Sequence, residues 1–146
     1  MTNTMTPTTT LRHPRLGLLQ IADEDLIHLV APLPPFMDLH RYVLVPDPEE
    51  EPFLWLQAVD QPAVCLVVAP HEDLAGPAPV PGAALREQLG LQPDEVPEVY
   101  VVISLAPDPQ QVTMNLLAPL YVCRRTRRAR QALREGDVSL ARVPLF

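Results

Sequence analysis

The chain has 146 residues, 47% of them apolar, and a formal charge of −7 at neutral pH. That length and apolar content suit one globular domain with a real core and exclude a disordered chain. No run approaches the roughly 18 apolar residues of a membrane helix, and an acidic chain is a poor general nucleic-acid binder, because such binding comes largely from neutralising phosphates with cations.

Met1 to Thr10 is Thr-rich and polar and is expected to be a disordered tail, with a single domain over residues 11–146. The N-terminal MTNTMTPTTTLRHPR has no apolar segment of the secretory kind, so a cytoplasmic location is expected. LGLLQI (16–21) and LIHLV (26–30) read as short strands around the acidic turn ADED. In APLPPF three prolines exclude both helix and central strand. HRYVLV (40–45) is strand-like and ends at PDPEEEP; FLWLQAV (53–59) and AVCLVVA (63–69) follow as a hairpin across DQP. His71 to Pro81 reads as a loop. GAALREQLGL (82–91) is the clearest helix, over about residues 82–90, with Gly90 as its stop. EVYVVISLA (98–106) is a buried strand, and VTMNLLAPLYVC (112–123) reads as strand, proline break, strand.

Short strands at close spacing with one short helix predict a mainly β chain: a barrel, roll or sandwich. The 19 prolines against 5 glycines punctuate these elements and do not form a linker. RRTRRARQALRE stays ambiguous, since Ala129, Ala132 and Leu133 would line a helix face while Ala129, Gln131 and Leu133 alternate as in a strand.

The charge is uneven. Asp23 to Asp108 holds 16 acidic residues against Arg41 and Arg86, whereas Arg124 to Arg134 holds six arginines. An acidic body suits a basic protein partner, whose approach it would speed by steering. The arginine segment could instead make the chain a nucleic-acid-binding barrel, but only Tyr121 lies close enough to supply stacking.

Little points to catalysis. Ser104 and Ser139 are the only serines and neither lies in a nucleophile elbow. His13, His28, His40 and His71 are scattered without ligand spacing, no glycine-rich phosphate cradle exists, and no cofactor or metal is expected. Cys65 and Cys123 sit in apolar runs and read as buried, reduced thiols; Trp55 reads as core. The run DPEEE (47–51) is a solvated turn or part of an electronegative docking face.

The order of segments resembles the bacterial flagellar assembly factor FliW family. HPRLGLLQIADEDLIHLVAPLPPF (13–36) follows the family's course of T-x-x-F-G-x-I-x-V, acidic residues, I-x-F and G-L-P-G-F. PFLWLQAVDQPAVCLVVAP (52–70) comes next. TMNLLAP (113–119) with RTRRARQ (125–131) is similar to the closing T-V-N-L-x-A-P and R-R-x-x-Q signatures. One departure is clear: Pro32 and Pro35 stand where the family has glycines, so a turn relying on positive φ must differ here. The resemblance implies a small antiparallel β-barrel or roll, non-enzymatic and monomeric, that binds flagellin and antagonises the translational repressor CsrA, relieving repression of flagellin synthesis. It also implies that the arginine segment is a closing hairpin, Leu120–Cys123 against Arg128–Leu133. The partner-contact residues expected on this basis are Asp47, Glu49, Glu50 and Glu51 of the acidic run and Asn115, the polar member of the signature.

Overall fold

A computed structural model describes residues 7–146. Strands β1 (Thr8–His13) and β2 (Gly17–Ala22) form a separate hairpin. The second sheet holds β3 (Ile27–Leu29), β4 (Arg41–Pro46), β5 (Leu54–Ala58), β6 (Cys65–Pro70), β7 (Glu98–Ser104), β8 (Thr113–Val122), β9 (Arg128–Gln131) and β10 (Val143–Pro144). Two short helices, α1 (His71–Ala75) and α2 (Ala83–Leu89), lie between β6 and β7. The tail expected over residues 1–10 falls outside the described residues for 1–6, and Thr8 to Thr10 belong to β1, paired with Ala22 to Gln20.

From β3 to β8 each strand pairs antiparallel with the next. β9 then pairs antiparallel with β8 and parallel with β3, which closes seven strands into a barrel. The expected mainly β barrel is therefore found, with a parallel seam that the hairpin pattern alone did not indicate. Alternate residues fill the interior, among them Ile27, Tyr42, Leu56, Val68, Leu120 and Ala129. Leu33, Phe36 and Leu39 of the proline turn join this core. That turn closes with Phe36 N–H donating to Leu33 O at 2.7 Å and holds the Pro34–Pro35 bond cis. No residue of it has positive φ, as befits a turn with prolines at 32, 34 and 35.

Three elements cover the barrel's outside. The β1–β2 hairpin packs Leu11, Leu19 and Ile21 on Val43, Val45 and Trp55. α2 sets Leu85 and Leu89 on Tyr121 and Cys123, and ends at Gly90, whose φ of +70° lets Gly90 and Leu91 N–H donate to the carbonyls of Glu87 and Arg86. Val143 and Leu145 lie on Val101, Ile103 and Met114, together with Leu74 of α1. Sequence placed a loop at α1; its five residues give too short a pattern to read, though Glu72 and Asp73 suit a first turn.

β8 runs through Pro119 without the expected break. Pairing with β7 jumps from Tyr100–Leu120 to Val102–Asn115, so Leu116 to Pro119 bulge opposite Val101. Proline is tolerated at such a bulge because no ladder N–H is needed there. On the other side Leu117 O and Pro119 O accept from Arg134 and Ala132. Asn115 Oδ1 accepts from both the Leu117 and Ala118 amides at 3.0 Å.

One buried imidazole holds the β1–β2 turn. His13 Nδ1 accepts from the amides of Arg15 (3.0 Å) and Leu16 (2.9 Å), its ring meets Trp55 edge-on at 5.1 Å, and Nε2 lies 3.7 Å from Cys65 Sγ. Two amides on Nδ1 require that nitrogen to be unprotonated. Burial lowers the His13 pKa below its ordinary 6.5, against the opposing pull of Asp47.

Two outcomes follow from these contacts. His13 is expected to contribute stability that is present above pH 6.5, the unfolded value, and lost as pH falls through the lowered folded value. Urea titrations at stepped pH should find this slope reduced in His13→Asn, whose amide oxygen keeps an acceptor without titrating. Asn115→Ala should cost about 1–3 kcal/mol by orphaning two amides, and Asn115→Asp less; denaturant midpoints check both.

Candidate partner-binding surface

The acidic run lies in the β4–β5 turn, and its members differ sharply in exposure. Asp47 is 4% exposed and organises the turn from inside. Its Oδ1 accepts from the Glu49 amide at 3.1 Å and its Oδ2 from Trp55 Nε1 at 3.2 Å. Arg15, from the β1–β2 turn, places its guanidinium 3.7 Å from Asp47, 3.9 Å from Glu49 and 3.3 Å from Glu50. Glu49, Glu50 and Glu51 are exposed. Three carboxylates, those of Asp47, Glu49 and Glu50, thus converge on one guanidinium, which ties the β4–β5 turn to the β1–β2 turn.

Beside it lies an apolar groove of about 240 Å³. Its origin is a row of directly opposed residues across the outer face: Val45, Trp55, Val67, Ile103, Met114 and Val143. Opposed residues share one face of a sheet, so the row is a continuous apolar stripe. The hairpin covers the Val45 end and the Leu145 segment covers the Met114 end. Between them Trp55, Val67 and Ile103 line the groove, together with Arg15, Asp47 and Glu50 and with Leu105, Leu145 and Phe146. Trp55, expected in the core, is therefore half-buried with its N–H tied to Asp47.

The structure brings together Asp47, Glu49, Glu50 and Glu51 but not Asn115, which lies on the β8 bulge outside the groove lining. Sequence reasoning missed His13, Arg15, Leu105 and Phe146. His13 looked like one scattered histidine because nothing local reveals that it caps a turn. Only the strand register reveals that Val67 lies opposite both Trp55 and Ile103.

The arginine segment is the predicted hairpin: Leu120, Tyr121 and Val122 pair with Gln131, Arg130 and Ala129. Its side chains are largely engaged. Arg124 Nε meets Glu98 at 2.9 Å and Arg125 meets Glu95 at 3.1 Å. Arg127 donates to the carbonyls of Asp25 (3.0 Å) and Leu26 (3.4 Å), and Arg130 donates to Gln88 Oε1. Burial pushes the Glu98 carboxyl up, but hydrogen bonds from Tyr100 and Arg124 and the charge of Arg127 outweigh it and hold it below the usual glutamate value. Four of the six arginines are thus paired with the chain's own acceptors.

Other reactive groups are muted. Burial pushes the Cys65 thiol up to about 11, which leaves it a poor nucleophile. Among the described residues no three His, Cys, Asp or Glu side chains converge on a metal position. Among the same residues no helix is long and apolar enough to cross a membrane. A second concavity of about 470 Å³ lies under the proline-rich 77–81 loop, lined also by His71, Glu98 and Tyr100.

Comparison with known proteins agrees with this architecture. The sequence model of the family described as FliW protein matches residues 10–145. The flagellar assembly factor FliW of Bdellovibrio bacteriovorus is 32% identical over 136 residues, covering 90% of this chain and 76% of the relative. That of Moorella thermoacetica is 33% identical over 134 residues, covering 90% and 85%. A crystal structure of the flagellar assembly factor FliW superposes with a TM-score of 0.81 at 23% identity, covering 96% of this chain and 97% of the other, and so shares the fold. With the barrel, its closing hairpin and the match over residues 10–145 in agreement, the chain belongs to the FliW family of flagellar assembly factors.

Proposed function

We propose that this chain is a non-catalytic, cytoplasmic, monomeric regulator of flagellar assembly that works by binding proteins: flagellin, and the translational repressor CsrA, whose block on flagellin synthesis it relieves. The two partners are what the resemblance to the family implies. In this chain the reading is supported by the exposed run of Glu49, Glu50 and Glu51, in which Glu49 and Glu50 are held by buried Asp47 and by Arg15, and Asp47 in turn by Trp55. A preordered charge cluster loses little conformational freedom on binding and speeds encounter with a basic partner. Asn115 contributes indirectly, by shaping the β8 bulge. An acidic protein docked beside an RNA-binding surface also repels phosphates within about 8–10 Å, the Debye length, so relief of repression needs no catalytic group.

Affinity capture after co-expression with flagellin and CsrA is expected to recover both. Glu49→Gln with Glu50→Gln should lower recovery of at least one partner while costing no more than about 1 kcal/mol of stability, the usual worth of exposed ion pairs. Recovery of neither by the unaltered chain would sink the reading and leave the fold intact. Antagonism of RNA binding should weaken as salt rises at equal occupancy of CsrA; antagonism that ignores salt would exclude the repulsion mechanism.

A further inference from the structure

The groove beside the acidic turn has a shape and charge that specify its occupant. Its floor is the middle of the apolar row, where Trp55 and Val67 are half-buried and Ile103 is buried behind them. Two large apolar side chains at its margin are held out to solvent, Leu105 at 67% and Phe146 at 78% exposure. Singly exposed apolar residues are ordinary, but a pair bordering an apolar concavity marks an interaction site. The volume of about 240 Å³ falls below the ~300–1,000 Å³ typical of small-molecule sites, and so suits the anchoring side chain of a larger partner.

The rim decides the charge of that partner. Asp47 and Glu50 line the groove, Glu49 and Glu51 flank them, and among the described residues Arg15 is the one cation facing them. A neutral or acidic segment would strip water from the exposed carboxylates of Glu49, Glu50 and Glu51 and return nothing, which is costly. A Lys or Arg beside the anchor would replace that water with charge-assisted hydrogen bonds. A second copy is a weaker fit. Its exposed Leu133 is flanked by Arg130 and Arg134, but Arg130 is engaged by Gln88, and a head-to-tail contact of this kind does not close on itself.

We propose that the groove takes an apolar side chain of the bound protein partner, with a Lys or Arg of the same segment seated on the exposed carboxylates of its rim, Glu50 with Glu49 and Glu51 beside it. This rests on the protein-binding reading above and adds the site and the chemistry of the docking segment.

Overlapping fluorescent peptides tiled across flagellin and CsrA test it by anisotropy, with emission of Trp55, the chain's single tryptophan, as a reporter in the groove. Peptides that bind are expected to pair a large apolar residue with a Lys or Arg and to alter Trp55 emission. Leu105→Ser with Phe146→Ser should weaken them about tenfold, as loss of an anchor contact does, and Glu50→Gln should reduce their salt dependence. Both changes are at exposed positions, and unaltered thermal melting would show that the fold is kept. Capture of the intact partners that is indifferent to the Leu105 and Phe146 changes, or peptides whose binding needs acidic residues, would overturn the groove assignment alone. Failure to capture either intact partner is the separate failure of the functional reading. Concentration-dependent self-association abolished by Leu133→Ser would assign the groove to a second copy and equally overturn the proposal.

Discussion

Closure of the barrel by β9 is the constraint on which the rest of the molecule depends. Four residues, Arg128 to Gln131, satisfy two neighbours at once, β8 antiparallel and β3 parallel. The turn before them makes this possible: Arg127 takes a φ of 60°, its carbonyl accepts from His28, and its guanidinium reaches the carbonyls of Asp25 and Leu26. Positive φ is costly for a residue with a Cβ and persists only where its surroundings hold it. Here three hydrogen bonds to the β3 segment do so. Inside the seam stands Ala129, fully buried and small enough for two strands to approach over it.

A closed barrel of this size has its interior filled with side chains, so recognition falls to the outside. The outer face is itself apolar and must be covered, by the hairpin, by α2 and by the Leu145 segment. The covers do not meet. The gap between them is the groove, and the turn at its edge carries the carboxylates. The candidate surface is thus the remainder of a packing problem that the chain solves around most of the barrel. Its rigidity comes from the same source: Asp47 ties the β4–β5 turn to Trp55 on the floor and to Arg15 on the cover.

Much of this was legible from the chain. The short apolar runs around Tyr42, Leu56, Val68 and Val101 mark strands, and they are near-continuous because each carries one face to the interior and one to a cover. Gly90 marks a helix end because only glycine sits there readily at positive φ. Pro119 misled, because its tolerance in β8 depends on a bulge whose amides are met by Asn115, a relation that appears only when β7 is placed alongside. The helix at His71–Ala75 escaped notice because one turn leaves no periodicity. For the surface, the acidic run was visible but its inner and outer members were not. Asp47 and Glu49 differ in role solely because Trp55 and Arg15 arrive from other elements.

The seam also sets an order on synthesis. Leu26 and Arg127, which meet across it, are 101 positions apart. At roughly 5–20 residues per second the ribosome needs on the order of 5–20 s to supply the second after the first. The strands from β3 to β8 can pair with neighbours as they emerge, since each contact is local. The N–H and C=O groups of β3 that face β9 cannot. For that interval the nascent chain is an open sheet with a bare margin, the form most prone to pair with another polypeptide. The margin is only three residues long, Ile27 to Leu29, which leaves a stray strand little to hold.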